Sequence, residues 1–172
     1  MLLRLITCSA LAMLLSTAPA PAFQKASKAR QEEIARRGAQ VMPFSLKRTL
    51  HVFTKTKSGG IQQVIVKDPS DTGQIELIRE HLSKISKEFA HGDFSEPAKI
   101  HGKDMPGLAE LERAHPGQLR IAYKDIPKGG QIDYATDSPE LVDALHRWFD
   151  AQLADHAGYA VPGHAGHPMG KE

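Results

Sequence analysis

The sequence predicts an α+β domain in which two ββα units form a four-stranded, mainly antiparallel sheet with two helices on one face. Two pairs of short runs rich in β-branched and aromatic residues each enclose a Gly-Gly turn, which is typical of β-hairpins. Each pair is followed by a segment whose apolar residues recur every three or four positions, as in an amphipathic helix. Each helix has one apolar stripe, so both stripes are expected to pack against the same sheet.

The first 22 residues have the pattern of a secretory signal peptide. Arg4 supplies a positive charge, residues 5–15 form an apolar run, and small residues precede a cleavage position after Ala22. The run is too short to span a membrane. The one cysteine, Cys8, lies in this segment, where a lipoprotein anchor is the competing interpretation. We therefore expect a protein that is periplasmic or secreted, with no membrane span and no disulfide.

The rest of the chain is expected to contain one folded domain between two flexible ends. Residues 23–43 are polar and basic and predict a flexible leader with a frayed helix; a basic helix that binds a partner is the alternative. The α+β domain covers residues 44–158. Residues 159–172 are rich in Gly, Pro and His and predict a disordered tail. The formal net charge of +2 gives no argument for nucleic acid or an anionic membrane as a partner.

The first ββα unit is predicted over residues 49–91. Its hairpin turns at Gly59-Gly60, with strands at 49–56 and 61–66. The apolar residues that follow predict a helix over 72–90, because an aspartate precedes this segment as a cap and a glycine follows it.

The second unit repeats this pattern over residues 118–158. Its strands are predicted at 118–123 and 131–136, and its helix begins at Ser138-Pro139, a capping residue followed by a proline that suits the first turn. Residues 92–117 connect the units through a loop and a short helix.

The two units align with each other at several positions. Gly59-Gly60 aligns with Gly129-Gly130, and His81 aligns with His146 after a small shift. We interpret the repetition as a hypothesis of internal duplication. Convergent use of a common ββα pattern is the alternative.

Histidine is the residue type from which we expect chemistry. All nine histidines lie beyond residue 22, in a stretch without cysteine. His81 and His146 fall on the apolar stripes of the two helices, where a hydrogen-bonded structural histidine is the alternative. His91 and His156 mark the helix ends, where a cation can instead interact with the helix dipole. Ten helical residues rise about 15 Å, so a metal ion would need histidines from different elements.

The sequence predicts a transition-metal site, with copper as the metal. Imidazole and thioether donors in a chain without thiols suit copper better than zinc or calcium. One donor pair lies in the connecting segment and another lies one turn apart on the second helix; a His-x-x-His tail at 164–167 is a weaker signal. The candidate ligands are His101, Met105, His81, His146, His156 and Asp150.

We therefore expect a small metal-binding protein of the periplasm. The first alternative is a metal-free envelope module that binds a protein partner through an exposed sheet face or the basic leader. The second is a small-molecule enzyme, which would need a pocket with converging polar groups. No catalytic residue is predicted, because the sequence lacks Gly-x-Ser-x-Gly, a phosphate loop, His-Glu-x-x-His and Cys-x-x-Cys-His.

Several segments between Pro43 and His156 carry a resemblance. These segments are residues 49–54, 92–102, 104–108 and 144–152. They resemble a group of short exported bacterial proteins, some of which are labelled aspartate carbamoyltransferase. The resemblance implies a compact exported domain and marks His101, Met105 and His146 as motif members. The sequence lacks the Ser-Thr-Arg-Thr phosphate loop of that enzyme, so the label is not expected to describe its activity.

Overall fold

The computed structural model describes residues 24–164. The predicted signal peptide and the histidine pair at 164–167, apart from His164 itself, lie outside this part of the chain. The elements, in chain order, are α1 Lys28–Val41, β1 Thr49–Thr56, β2 Gly59–Val66, α2 Thr72–Ala90, α3 Ser95–His101, α4 Leu108–Glu112, β3 Arg120–Ile126, β4 Gly129–Ala135, α5 Pro139–His156 and β5 Ala160–Pro162.

The strands form one mixed sheet in the order β3-β4-β2-β1-β5. The four predicted strands pair antiparallel, and β5 pairs parallel to β1. The predicted α+β class is therefore confirmed, whereas the prediction of four strands is wrong. The fifth strand has only three residues and no alternation that a sequence could reveal. It lies beside β1, where the backbone N–H of His51 donates to the carbonyl of Tyr159 at 2.8 Å.

The two hairpins meet in equivalent registers at the β2–β4 pair. Gly59 lies opposite Ala135, and Gly129 lies opposite Ile65. A side chain on Gly59 would come within 2.0 Å of the Tyr134 carbonyl oxygen, so the close approach of the strands requires glycine there. This symmetry supports the duplication hypothesis.

Both long helices pack on the same sheet face. The ring of Tyr134 in β4 lies 6.5 Å from that of Phe89 in α2 and 5.8 Å from that of Phe149 in α5. One inward-facing side chain therefore contacts both helices, in agreement with the prediction of two helices on one face. Helix α2 packs mainly on β3 and β4, and α5 on β1, β2 and β5, so each helix packs mainly on the hairpin of the other predicted unit.

Helix α1 is packed against the domain, and the prediction of a flexible leader is wrong for it. Ser27 caps the helix, Ile34 is fully buried, and α1 contacts α3 and α5. The segment has few apolar residues, and it is held by the buried Ile34 together with polar contacts such as the ion pair of Arg30 with Asp155.

The connecting segment contains one predicted and one unpredicted helix. The short helix expected near residue 108 is α4. Helix α3 was not predicted, and it places His101 at a helix end instead of in a loop.

Among residues 24–164, no helix is long and apolar enough to cross a membrane.

Candidate functional site

Four of the nine histidines surround one small cavity between the sheet and the helices. The cavity has a volume of about 40 Å³ and receives side chains from α2, α3, α5 and β1. All four histidines are at most 9% exposed. They are His51 of β1, His81 of α2, His101 of α3 and His156 of α5.

Each histidine reaches the cavity through the geometry of its own element. His51 lies two residues before Phe53, whose ring packs against Phe149 of α5, so His51 faces the helices as well. His156 lies two turns after Phe149 on the buried side of α5. His101 is the last residue of α3.

Three of the imidazoles are in ring contact. The rings of His51 and His156 are stacked, with centroids 5.4 Å apart and planes 3° apart. The ring of His101 meets that of His156 edge-on at 4.9 Å. Phe44 lies between His51 and His81, with ring centroid distances of 5.8 Å and 5.6 Å. His51, His101 and His156 therefore form a continuous cluster, which we call the histidine triad, and His81 lies beyond Phe44.

Asp155 fixes the orientation of His101. Its Oδ2 atom lies 2.7 Å from Nδ1 of His101, and Arg30 donates to the same carboxylate through Nε at 3.2 Å and Nη2 at 2.9 Å. Hydrogen bonds from His101 and Arg30 outweigh the effect of burial, which alone would raise the pKa of Asp155, and lower that pKa to about 2. An ionised carboxylate only accepts hydrogen bonds, so Nδ1 of His101 carries the proton and Nε2 keeps a free lone pair.

Unpaired polar atoms are concentrated around the cavity. In the described part of the chain, four buried side-chain polar atoms lack a hydrogen-bond partner, and three of them belong to cavity-lining residues: Nδ1 of His51, Nδ1 of His156 and Nε1 of Trp148. Each such atom costs about 1–3 kcal/mol when it stays unpaired. The cavity exceeds the roughly 10–15 Å³ that one water needs. Three unpaired polar atoms therefore belong to residues that line the cavity, and each atom is itself closed off from solvent.

Burial keeps the cavity histidines neutral at pH 7. It lowers the pKa of His51 to about 4, and it also lowers the pKa values of His81, His101 and His156. Neighbouring imidazoles lower the pKa values of His51 and His156 further, because two positive rings would repel each other. Neutral imidazole is the form that binds metal ions.

The triad is not arranged as a finished metal centre. Within residues 24–164, no group of three His, Cys, Asp or Glu side chains is placed to hold an ion. The stacked rings of His51 and His156 would have to rotate for their nitrogen atoms to converge. Met42, which carries a thioether, also lines the cavity.

The predicted ligands separate into two sets. His81, His101 and His156 line the cavity, whereas His146, Met105 and Asp150 do not. The Nε2 atom of His146 lies 2.9 Å from the Gly59 carbonyl and 3.1 Å from the Thr56 carbonyl, which makes it a structural contact to the first hairpin.

The other two candidates also have structural partners. Asp150 pairs with Lys55 at the surface, with 2.6 Å between Nζ and Oδ1. Met105 is buried in the hydrophobic core. The predicted loop pair of His101 and Met105 and the predicted helix pair of His146 and Asp150 are therefore not brought together at this cavity.

Sequence reasoning missed five residues around the site. The sequence does not assign the direction of His51, because Leu50, Val52 and Phe53 around it are all apolar and the strand shows no clear alternation. The adjacent pair Asp155-His156 at the end of a helix was the one available signal for the carboxylate. The missed residues are Arg30, Met42, His51, Trp148 and Asp155.

The geometry suits a small ligand. A cavity of about 40 Å³ is well below the roughly 300–1,000 Å³ of typical small-molecule pockets. It has room for an ion and one or two small oxygen ligands.

No protein family, curated protein or solved structure matches the chain.

Proposed function

We propose that this chain is an exported metal-binding protein whose ligands are the histidine triad, with copper as the metal. One observation carries the proposal: three neutral imidazoles from three different elements are in ring contact at one small cavity. A carboxylate already orients one of them, as is usual for metal-binding histidines.

The donor set supports copper over other ions. Imidazole nitrogen atoms suit copper and zinc, and the thioether of Met42 shifts the preference towards copper, especially Cu(I). Calcium and magnesium prefer oxygen ligands, and the oxygen-bearing Asp155 is already bound to Arg30 and His101. His81 would act as a further donor only after movement of Phe44, which lies between its ring and that of His51.

The location follows from the N-terminal pattern. Residues 1–22 have the charge, length and cleavage pattern of a signal peptide, so we place the protein in the periplasm or outside the cell. A periplasmic site built from imidazole and thioether matches a compartment in which free thiols tend to become oxidised.

The alternatives receive less support. A protein-interaction module would be favoured by a large exposed apolar patch, and among residues 24–164 the one exposed large hydrophobic side chain is Val161, at 37%. The cavity at the histidine triad is itself too small for a metabolite, and the larger pocket of about 540 Å³ beside Gly92 and Lys103 contains none of the triad residues.

Titration of the purified protein, without a histidine tag, with Cu(II), Cu(I) and Zn(II) tests the proposal. Trp148 is the single tryptophan of the chain and lines the cavity, so its fluorescence should change on binding. The predicted dissociation constant for copper is below about 10 μM, or ~7 kcal/mol. His156→Ala should abolish binding, whereas His115→Ala at an exposed position should not. Weaker binding, or equal binding by both variants, would contradict the proposal.

A further inference from the structure

We propose that helix α1 is a clamp on the metal site, held by Arg30 on Asp155, so that docking of α1 and metal binding at His101 strengthen each other. The inference rests on the proposed function and names the regulation of that site. It concerns a segment whose sequence alone predicts a flexible leader.

Arg30 positions the ligand residue His101 in two ways, directly and through Asp155. Its Nη2 donates to the backbone carbonyl of His101 at 2.6 Å. Its guanidinium also holds Asp155, which accepts from the imidazole at 2.7 Å. The backbone and the side chain of His101 are therefore both positioned by one side chain of α1.

The carbonyl contact occurs at a favourable place. His101 ends α3, and the free carbonyl groups at a helix C-terminus carry partial negative charge. Arg37, two turns further along α1, donates to the preceding carbonyl of Ile100 at 3.5 Å. Helix α1 thus caps the end of α3 with two cations.

Both ends of α1 reach the site. At its start, the backbone N–H of Ala26 donates to the carbonyl of Ala154 at 3.1 Å, next to Asp155 and His156. At its end, Val41 and the following residue Met42 line the cavity. Undocking of α1 would therefore release Asp155, expose the cavity and remove the thioether in one movement.

Linkage makes the effect reciprocal. If docked α1 raises the metal affinity by some factor, bound metal must favour the docked state of α1 by the same factor. Partners of metal-binding histidines commonly change metal affinity by about 10- to 100-fold. Arg30 and Asp155 are positioning residues in this scheme, because neither is expected to touch the metal.

Amide hydrogen exchange and copper titration of the purified protein test the clamp. Arg30→Gln should weaken Cu(II) binding about 10- to 100-fold and speed exchange over residues 28–41, whereas Arg36→Gln, the same charge change at an exposed position of α1, should change neither. In the wild type, copper should slow amide exchange over residues 28–41. The factor should be about the same as the factor by which Arg30→Gln reduces the copper affinity.

Two further variants separate positioning from folding. Asp155→Asn keeps the side-chain size but offers an amide to His101, so it should weaken copper binding and change the nitrogen hyperfine pattern in the Cu(II) electron paramagnetic resonance spectrum. Arg30→Lys keeps the charge but loses the bidentate contact with Asp155. Its copper affinity should lie between those of the wild type and Arg30→Gln. The double variant Arg30→Gln/Asp155→Asn should bind copper nearly as well as whichever single variant binds it more weakly, because both substitutions act through one contact.

The outcomes are distinguishable. Wild-type copper binding with unchanged affinity in Arg30→Gln, or copper binding without slower exchange in α1, would overturn the clamp and leave the proposed function standing. Failure of the wild type to bind copper would overturn both.

Discussion

The imidazole of His101 donates to the carboxylate of Asp155 at 2.7 Å and thereby joins the C-terminal end of α3 to that of α5. This contact fixes the protonated nitrogen of His101 on the Asp155 side and leaves the other nitrogen free. It also places His101 edge-on against His156, the residue after Asp155. A carboxylate, an orienting arginine and three imidazoles are therefore parts of one connected arrangement.

The stability of the apo protein should fall as the pH decreases below about 6.5. Burial lowers the pKa of His51 from 6.5 to about 4, so between these values the unfolded chain binds the proton and the folded chain does not. The His51 contribution is complete above pH 6.5, and about 3 kcal/mol of it is lost by pH 4. His81, His101 and His156 act in the same direction. Urea unfolding between pH 7.5 and 4.5 measures this loss; a flat profile would contradict it.

Replacement of His51 by phenylalanine should separate stability from function. A planar aromatic ring is retained and an unpaired buried nitrogen is removed, which offsets the packing strain of the larger phenyl ring, so the free energy of unfolding at pH 7 should change by less than about 1.5 kcal/mol. Its decrease towards pH 4.5 should be smaller than in the wild type. Copper affinity should fall at least tenfold, as the titration described above would measure. A large loss of stability at pH 7 would show that His51 has a polar partner.

His146→Ala should destabilise the protein without affecting copper. The variant loses the contacts of Nε2 with the carbonyls of Thr56 and Gly59, which should cost about 1–2 kcal/mol. Thermal unfolding and copper titration of the same sample distinguish a hairpin contact from a ligand. A tenfold weaker copper affinity would return His146 to the ligand set.

Met42→Leu should weaken the binding of Cu(I) more than the binding of Cu(II). Leucine has nearly the volume of methionine, so the stability change should stay below about 1.5 kcal/mol. Loss of the thioether at the cavity should weaken Cu(I) more than Cu(II) or Zn(II), because soft sulfur donors select Cu(I). Met105→Leu, at a buried position away from the cavity, is the matched control. Equal Cu(I) affinity in both variants would exclude Met42 as a ligand.

Local sequence patterns predicted more of the fold than of the candidate site. The helix at Thr72–Ala90 and the hairpin turns follow from periodicity, caps and glycines within short windows. The position of β5 and the docking of α1 depend on contacts between segments far apart in the chain, such as Arg30 with Asp155. No local window contains those contacts.

The same reason applies to the directions and partners of the histidines. The spacing of His81 along its helix predicted that it faces inward, and His81 is buried; His156, expected only to mark the end of its helix, is buried as well. His146 lies on a similar stripe, yet two carbonyl groups of the neighbouring hairpin satisfy its nitrogen. Spacing along a helix predicts the direction of a side chain but not the group that it contacts. The contact between His51 and His156 depends on the packing of β1 against α5, which the sequence does not reveal.

Anomalous diffraction at the copper absorption edge, on crystals of the copper-loaded protein, shows where copper binds. We expect an anomalous peak in the cavity, within bonding distance of imidazole nitrogen atoms of His51, His101 and His156, with Asp155 still bound to His101. A copper peak at the surface or at the C-terminal histidines, with the cavity unchanged, would show that the histidine triad is not the metal site.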